Sequence, residues 1–161
     1  EITEHDISTI IVATGMNEIE PLNMFGYGKY PNVMTQLQFE EFLKNNGDKL
    51  NSLKDVAFIN CVNSRNNDRG CCNVGCMASI KNIKEIKNIN QTINTYIFFR
   101  DFNITGNDVQ YHYNSMNKYT VAFRYPDSNP PEIHLTKELK SEVSSKNRRK
   151  SEKACCSWNV V

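Results

Sequence analysis

Four of the six cysteines fall in one short stretch, CVNSRNNDRGCCNVGCMASIK, as Cys61, Cys71, Cys72 and Cys76. Thiolates are soft, anionic ligands, and a set of four satisfies either a cubane iron–sulfur cluster or a tetrahedral zinc ion. The spacing, C-x9-C-C-x3-C, is neither the C-x2-C-x2-C run of bacterial ferredoxins nor a pair of C-x2-C knuckles. It therefore points to metal or redox chemistry while leaving iron–sulfur and zinc open. The plain alternative is a set of free thiols, with Cys76 packed in the core. The other two cysteines, Cys155 and Cys156, lie near the carboxyl terminus. No basic, apolar, small-residue leader opens the chain, so a reducing cytoplasmic setting is expected, in which clustered cysteines are ligands more often than disulfides.

The elements that must carry this loop can be read around it. Residues 55–60 (DVAFIN) are a short apolar, β-branched run and are expected to be a buried strand that delivers Cys61 at its carboxyl end. Residues 77–89 repeat isoleucine at 80, 83, 86 and 89, a helical spacing, so a helix should begin just after Cys76. A helix amino terminus favours thiolate over thiol, and its amides can hydrogen-bond sulfur. Further strands are expected at 95–99 and 119–124, a helix at 108–116 between them, and a short edge strand at 133–135. Upstream, Thr35 and Gln38 form a capping box for a helix with Phe39, Phe42 and Leu43 on its apolar side, ended by Asn46-Gly47. Residues 8–14 (STIIVAT) read as one more buried strand, stopped by Gly15. A strand ending Ala-Thr-Gly can bring its backbone close to a dinucleotide, which makes Thr14 and Gly15 candidate cofactor contacts.

Strands alternating with helices define an α/β class. The expectation is a Rossmann-like, doubly wound, mostly parallel sheet with helices on both faces. In such sheets ligands gather at the carboxyl ends of the strands, where the cysteine loop lies. No G-x-G-x-x-G follows the strand at 55–60, so no nicotinamide dinucleotide is assigned to this unit.

The chain has 161 residues, 39% of them hydrophobic and 23% charged, and a formal net charge of +1. That is enough to bury a core, and the charge balance argues against a general nucleic-acid binder. No run approaches the roughly 18 apolar residues of a membrane span. The chain opens on Glu1 with an apolar run close behind, and is expected to be an internal piece of a longer protein. From residue 136 it turns basic (Lys137, Lys140, Lys146, Arg148, Arg149, Lys150 and Lys153), and a solvated, disordered tail is expected over 136–161. His5, His112 and His134 are isolated from one another, and no Ser/His/Asp set or carboxylate pair assigns a catalytic residue. Arg65 has two readings, a hydrogen bond to a cluster or a flavin phosphate, or a structural ion pair.

Several segments together resemble the A subunit of heterodisulfide reductase, an iron–sulfur flavoprotein family. They are IIVATG (10–15), GYGKYPNVMTQLQFEEFL (26–43), VAFINCVNSR (56–65), the cysteine region through CMASIK (76–81), and YIFFRD (96–101). The resemblance implies a thioredoxin-reductase-like flavoprotein. Residues 1–50 would end its FAD-binding part, with Thr14 and Gly15 near the flavin, and 51–135 would be a dinucleotide-type domain in which a [4Fe-4S] cluster replaces the nucleotide. FAD would be bound largely by parts outside this chain. Partners would be further heterodisulfide-reductase-like subunits and ferredoxin-type electron carriers. Cys61, Cys71 and Cys76 fall on the family's ligand positions. The family's adjacent cysteine pair is Gly75-Cys76 here, and Cys72 is the additional thiol. Asn63 stands for a glycine, and Asn103 for an arginine. The implied function is electron transfer between flavin and iron–sulfur centres. The alternative is a non-catalytic α/β module with structural zinc, or a decayed fragment without a cluster.

Overall fold

Four of the strands form around the two most apolar runs of the chain. The computed structural model describes residues 2–15, 17–135, 141–144 and 158–160. Its central strand is β1 (Asp55–Ile59), paired in parallel with β2 (Asn94–Phe99), which pairs in parallel with β3 (Val121–Arg124). On the other side of β1 lies β6 (Trp158–Val160), also parallel to it. β5 (Ser141–Ser144) and β4 (Glu132–Leu135) complete the sheet in antiparallel pairing, giving the order β3-β2-β1-β6-β5-β4. Every residue of β1 is buried, as a central parallel strand requires.

The two-residue period of β1 divides the core. Val56 and Phe58 point to one face, with Ile97 of β2, and meet the helices. These are α1 (Gln36–Asn45), the short α2 (Gly47–Leu50), α3 (Gly75–Ile89) and α4 (Val109–Tyr119). Phe39, Leu50, Ile80, Ile83, Ile86 and Met116 are their buried contribution. Phe39 meets Phe58 edge-on, with ring centroids 5.8 Å apart. Ala57 and Ile59 point to the opposite face, with Phe98. No helix covers it among the described residues. Val33 and Tyr125 close it instead, with Phe25, Tyr27 and Tyr30 of the Gly/Pro-rich loop packed beside them. The α/β class and parallel core match the expectation, whereas helix covers one face and an aromatic loop the other.

Local signals explain the helix ends. Thr35 caps α1: its side chain accepts from the Gln38 amide, and the Gln38 side chain accepts from the Thr35 amide. α3 buries Ile80, Ile83 and Ile86, but Ile89 is 39% exposed. Nine residues at about 100° each carry Ile89 to the side opposite Ile80, so the isoleucine repeat outruns the helical period. α4 runs to Tyr119 and is shallow, with Met116 and Ser115 buried while Val109 and Tyr113 stay about half exposed.

Two expectations are corrected. Residues 8–14 form no strand and lie in solvent, with Ile10, Ile11 and Val12 73%, 87% and 78% exposed. A strand requires a neighbour to pair its backbone, and none of the pairings in this sheet includes these residues. The basic tail, expected to be disordered, supplies β5 and β6. β6 takes the open side of β1, the edge that a central strand cannot leave bare. Cys155, Cys156 and the tail's lysines and arginines lie outside the described residues.

Candidate metal centre

β1 and β2 end side by side, and the cysteine loop is built over those ends. Cys61 leaves β1 with a positive φ of 65°, and Asn63, Arg65 and Asn73 adopt 50°, 54° and 60°. Left-handed backbone costs a non-glycine residue about 1–2 kcal/mol, so contacts from outside the loop must hold these turns. Arg100, just past β2, donates to the carbonyls of Cys61 (2.8 Å) and Arg65 (3.0 Å) and pairs with Asp127. Tyr125, just past β3, donates its buried hydroxyl to the Asn60 carbonyl at 2.6 Å. Burial raises that hydroxyl's pKa and keeps it a donor. Gln36 of α1 donates to Asn60 Oδ1, the Gly75 carbonyl and Ser79 Oγ, pinning the end of β1 to the start of α3.

This framework gathers the thiols at the amino terminus of α3. Cys61 and Cys76 both lie against the Asp101 carbonyl, at 3.7 and 3.9 Å. The Asn73 amide donates to Cys71 Sγ at 3.4 Å, as does the Asn103 side chain at 3.6 Å. The Gly75 amide donates to Cys72 Sγ at 3.4 Å. Gly75 has a specific place here, because a Cβ on it would come within 3.3 Å of the Cys72 sulfur. The Cys72 thiol thus lies where a side chain from position 75 would begin. An apolar cavity of about 430 Å³, lined by Met24, Phe25, Met34, Leu37 and Val74, opens against Cys61 and Cys72.

The thiols are not alike. Burial pushes Cys76 up, a hydrogen bond with the Asn103 backbone opposes this, and Cys61, Cys72 and Cys71 push it further. For Cys71, desolvation is outweighed by the Asn73 and Asn103 hydrogen bonds and by Arg65, and its pKa is held below the ordinary thiol value. Among the described residues no three Cys, His, Asp or Glu side chains converge tightly enough for a single metal ion. The donor set is all sulfur, with peptide and amide N–H groups aimed at two of its members, which is the chemistry of a thiolate-ligated centre, iron–sulfur or zinc.

Thr14 and Gly15, the other expected contacts, are exposed, and a Cβ at Gly15 would meet nothing within 4 Å. The structure does not bring them to the cysteines. The supporting residues Arg100 and Tyr125 are absent from the sequence reading of the site, in which Asn103 figured only as the replacement of a family arginine. Only the YIFFRD segment hinted that the end of β2 belongs to it.

No family model matches the chain. It is 32% identical over 138 residues to the A subunit of the H(2):CoB-CoM heterodisulfide,ferredoxin reductase of Methanothermobacter thermautotrophicus, covering 76% of this chain and 21% of that protein. This chain is a homologue of the heterodisulfide reductase A subunits. The second iron-sulfur A subunit of the CoB--CoM heterodisulfide reductase of Methanopyrus kandleri is 28% identical over 157 residues, 89% of this chain and 24% of its own length. The iron-sulfur A subunit of the corresponding reductase of Methanocaldococcus jannaschii is 30% identical over 132 residues, 73% of this chain and 20% of its own. The chain thus spans about a fifth of the length of these heterodisulfide reductase subunits. No helix among the described residues is long and apolar enough to cross a membrane.

Proposed function

We propose that this chain is the cluster-bearing stretch of an electron-transferring iron–sulfur flavoprotein of the heterodisulfide reductase A type. Cys61, Cys71, Cys72 and Cys76 hold a [4Fe-4S] cluster over the ends of β1 and β2. The observation that carries this reading is the placing of Cys61 and Cys76 against one carbonyl and of Cys71 and Cys72 on the amides that lead into α3, with the Cys72 sulfur beside the missing Cβ of Gly75. Cys72 thereby takes the part of the cysteine that the resembled family carries where this chain has Gly75. When bound, the cluster supplies one-electron chemistry. The chain's own part is to hold four thiolates, to hydrogen-bond two of them, and to keep the loop rigid through Arg100 and Tyr125. A rigid shell keeps the reorganisation that accompanies electron transfer small.

FAD is the partner cofactor in this reading, bound mainly by residues outside this chain. Residues 1–50 contribute to its site, with Thr14 and Gly15 at the flavin. The names of the relatives, heterodisulfide and ferredoxin reductase subunits, point to disulfide-reducing subunits and a ferredoxin as electron partners, and the thiol ligands call for the reducing cytoplasm. The test is anaerobic reconstitution with iron and sulfide, followed by metal, sulfide and visible spectra. About four irons and four sulfides per chain are expected, lost or altered in Cys72→Ser. A colourless chain, one that binds only zinc, or a cluster indifferent to Cys72→Ser overturns the assignment.

A further inference from the structure

Arg65 is the cation whose charge acts on Cys71, the thiol held lowest in the loop. Its place is fixed by a small hairpin: the Arg65 amide donates to the Gly70 carbonyl at 3.0 Å, and the Asn66 amide to the Arg69 carbonyl at 2.9 Å. That pairing puts Arg65 across from the residue that precedes Cys71. Its carbonyl is held by Arg100 and its φ is positive, so the backbone leaves its side chain little freedom of direction. The guanidinium reaches Asp101 Oδ2 at 3.3 Å, and its charge helps to hold the Cys71 thiol below its ordinary value. Its Nε is buried without a partner. Asp101 also meets Arg124 at 3.4 Å, and the two groups facing Cys71 besides Arg65 are the neutral amides of Asn73 and Asn103.

We infer that Arg65 is a positioning residue that sets the reduction potential of the centre, its fixed charge favouring the reduced state and Asp101 opposing it. The inference rests on the cluster assignment above. Reduction adds one electron and one negative charge to the cluster–thiolate unit, with no bond broken and no proton required. A cation acting on one thiolate, in a partly desolvated place, stabilises the more negative state more than the less negative one. Arg65 is only 30% exposed on its side chain, so water screens this less than at an open surface. A purely structural ion pair between Arg65 and Asp101 predicts something different. Either partner's loss would then loosen the same loop and act in the same direction.

The experiment is a dithionite titration of the reconstituted full chain, followed by electron paramagnetic resonance, with iron content measured for each variant. Arg65→Gln should make reduction about tenfold less favourable, a downward shift of about 59 mV for a one-electron couple. Arg65→Lys, which keeps the charge without the fork, should recover most of it. Asp101→Asn should shift the potential upward. If Arg65→Gln fails to hold a cluster, the Arg65→Lys and Asp101→Asn pair still decides by sign. An intact cluster with an unmoved potential in Arg65→Gln, or a downward shift in Asp101→Asn, overturns the inference alone. A wild-type chain that takes up no iron overturns the cluster assignment, and this inference with it.

Discussion

Arg100 is the keystone of the loop, and its removal gives a measurable cost. Its guanidinium is 16% exposed and holds two carbonyls, those of Cys61 and Arg65, both belonging to residues with left-handed backbone. A hydrogen bond from a charged donor contributes about 1.5–3 kcal/mol, so two sum to about 3–6 kcal/mol before relaxation. Truncation lets water reach both carbonyls, and we expect Arg100→Ala to cost about 2–4 kcal/mol. The ion pair with Asp127 adds little, since that carboxylate is 66% exposed and such pairs contribute about 0–1 kcal/mol. Asp127→Asn should therefore be nearly silent. Arg100→Lys should be intermediate, because one ammonium cannot fork to both carbonyls. The assay is urea unfolding of the metal-free chain by circular dichroism, with hydrogen exchange read over residues 61–70. Protection there should fall in Arg100→Ala before global unfolding. An Arg100→Ala chain within about 0.5 kcal/mol of wild type, or an Asp127→Asn chain equally damaged, would refute the reasoning.

Ile83→Ala, at a site 1% exposed where α3 faces β1, should cost about 2–5 kcal/mol in the same unfolding experiment. In the metal-free, reduced chain Cys71 should alkylate before Cys76 near neutral pH, as mass spectrometry of peptides can follow. The depressed Cys71 gives more thiolate there; both rates fall on acidification, and the ratio between them narrows as pH rises through the Cys71 value toward that of Cys76. Stability carries the same signs. The Cys71 contribution is present above the ordinary thiol range and lost on acidification, whereas that of Cys76 is held below this range and lost as pH rises toward its raised value. Gly75→Cys combined with Cys72→Ser should return a ligand to position 75 and restore the iron content that Cys72→Ser alone loses.

The parts of the fold set by short-range periodicity were legible in the sequence. β1, β2 and α3 follow from apolar runs and isoleucine spacing, and the Thr35–Gln38 capping box starts α1 where expected. The same reasoning misread residues 8–14, because an apolar β-branched run states a preference and cannot supply the neighbour that a strand needs. It also missed β5 and β6, whose place depends on the open side of β1 and not on their own short sequences. At the site, the cysteines announced themselves by type and crowding. Arg100, Asn103 and Tyr125 did not, since each reaches the loop across tens of residues of chain, and only the parallel register of β1, β2 and β3 brings their ends together. That Cys72 stands in for a ligand at position 75 was already implied by the resemblance, and the coordinates add to that proposal a missing Cβ with a sulfur 3.3 Å away.

The central claim is that one multinuclear cluster sits on four cysteine sulfurs. X-ray absorption at the iron edge of the anaerobically reconstituted chain tests it most directly. The account predicts iron with an all-sulfur first shell and an iron–iron shell beyond it, the latter diminished in Cys72→Ser. Iron without a metal neighbour, or a first shell of nitrogen and oxygen, would contradict it.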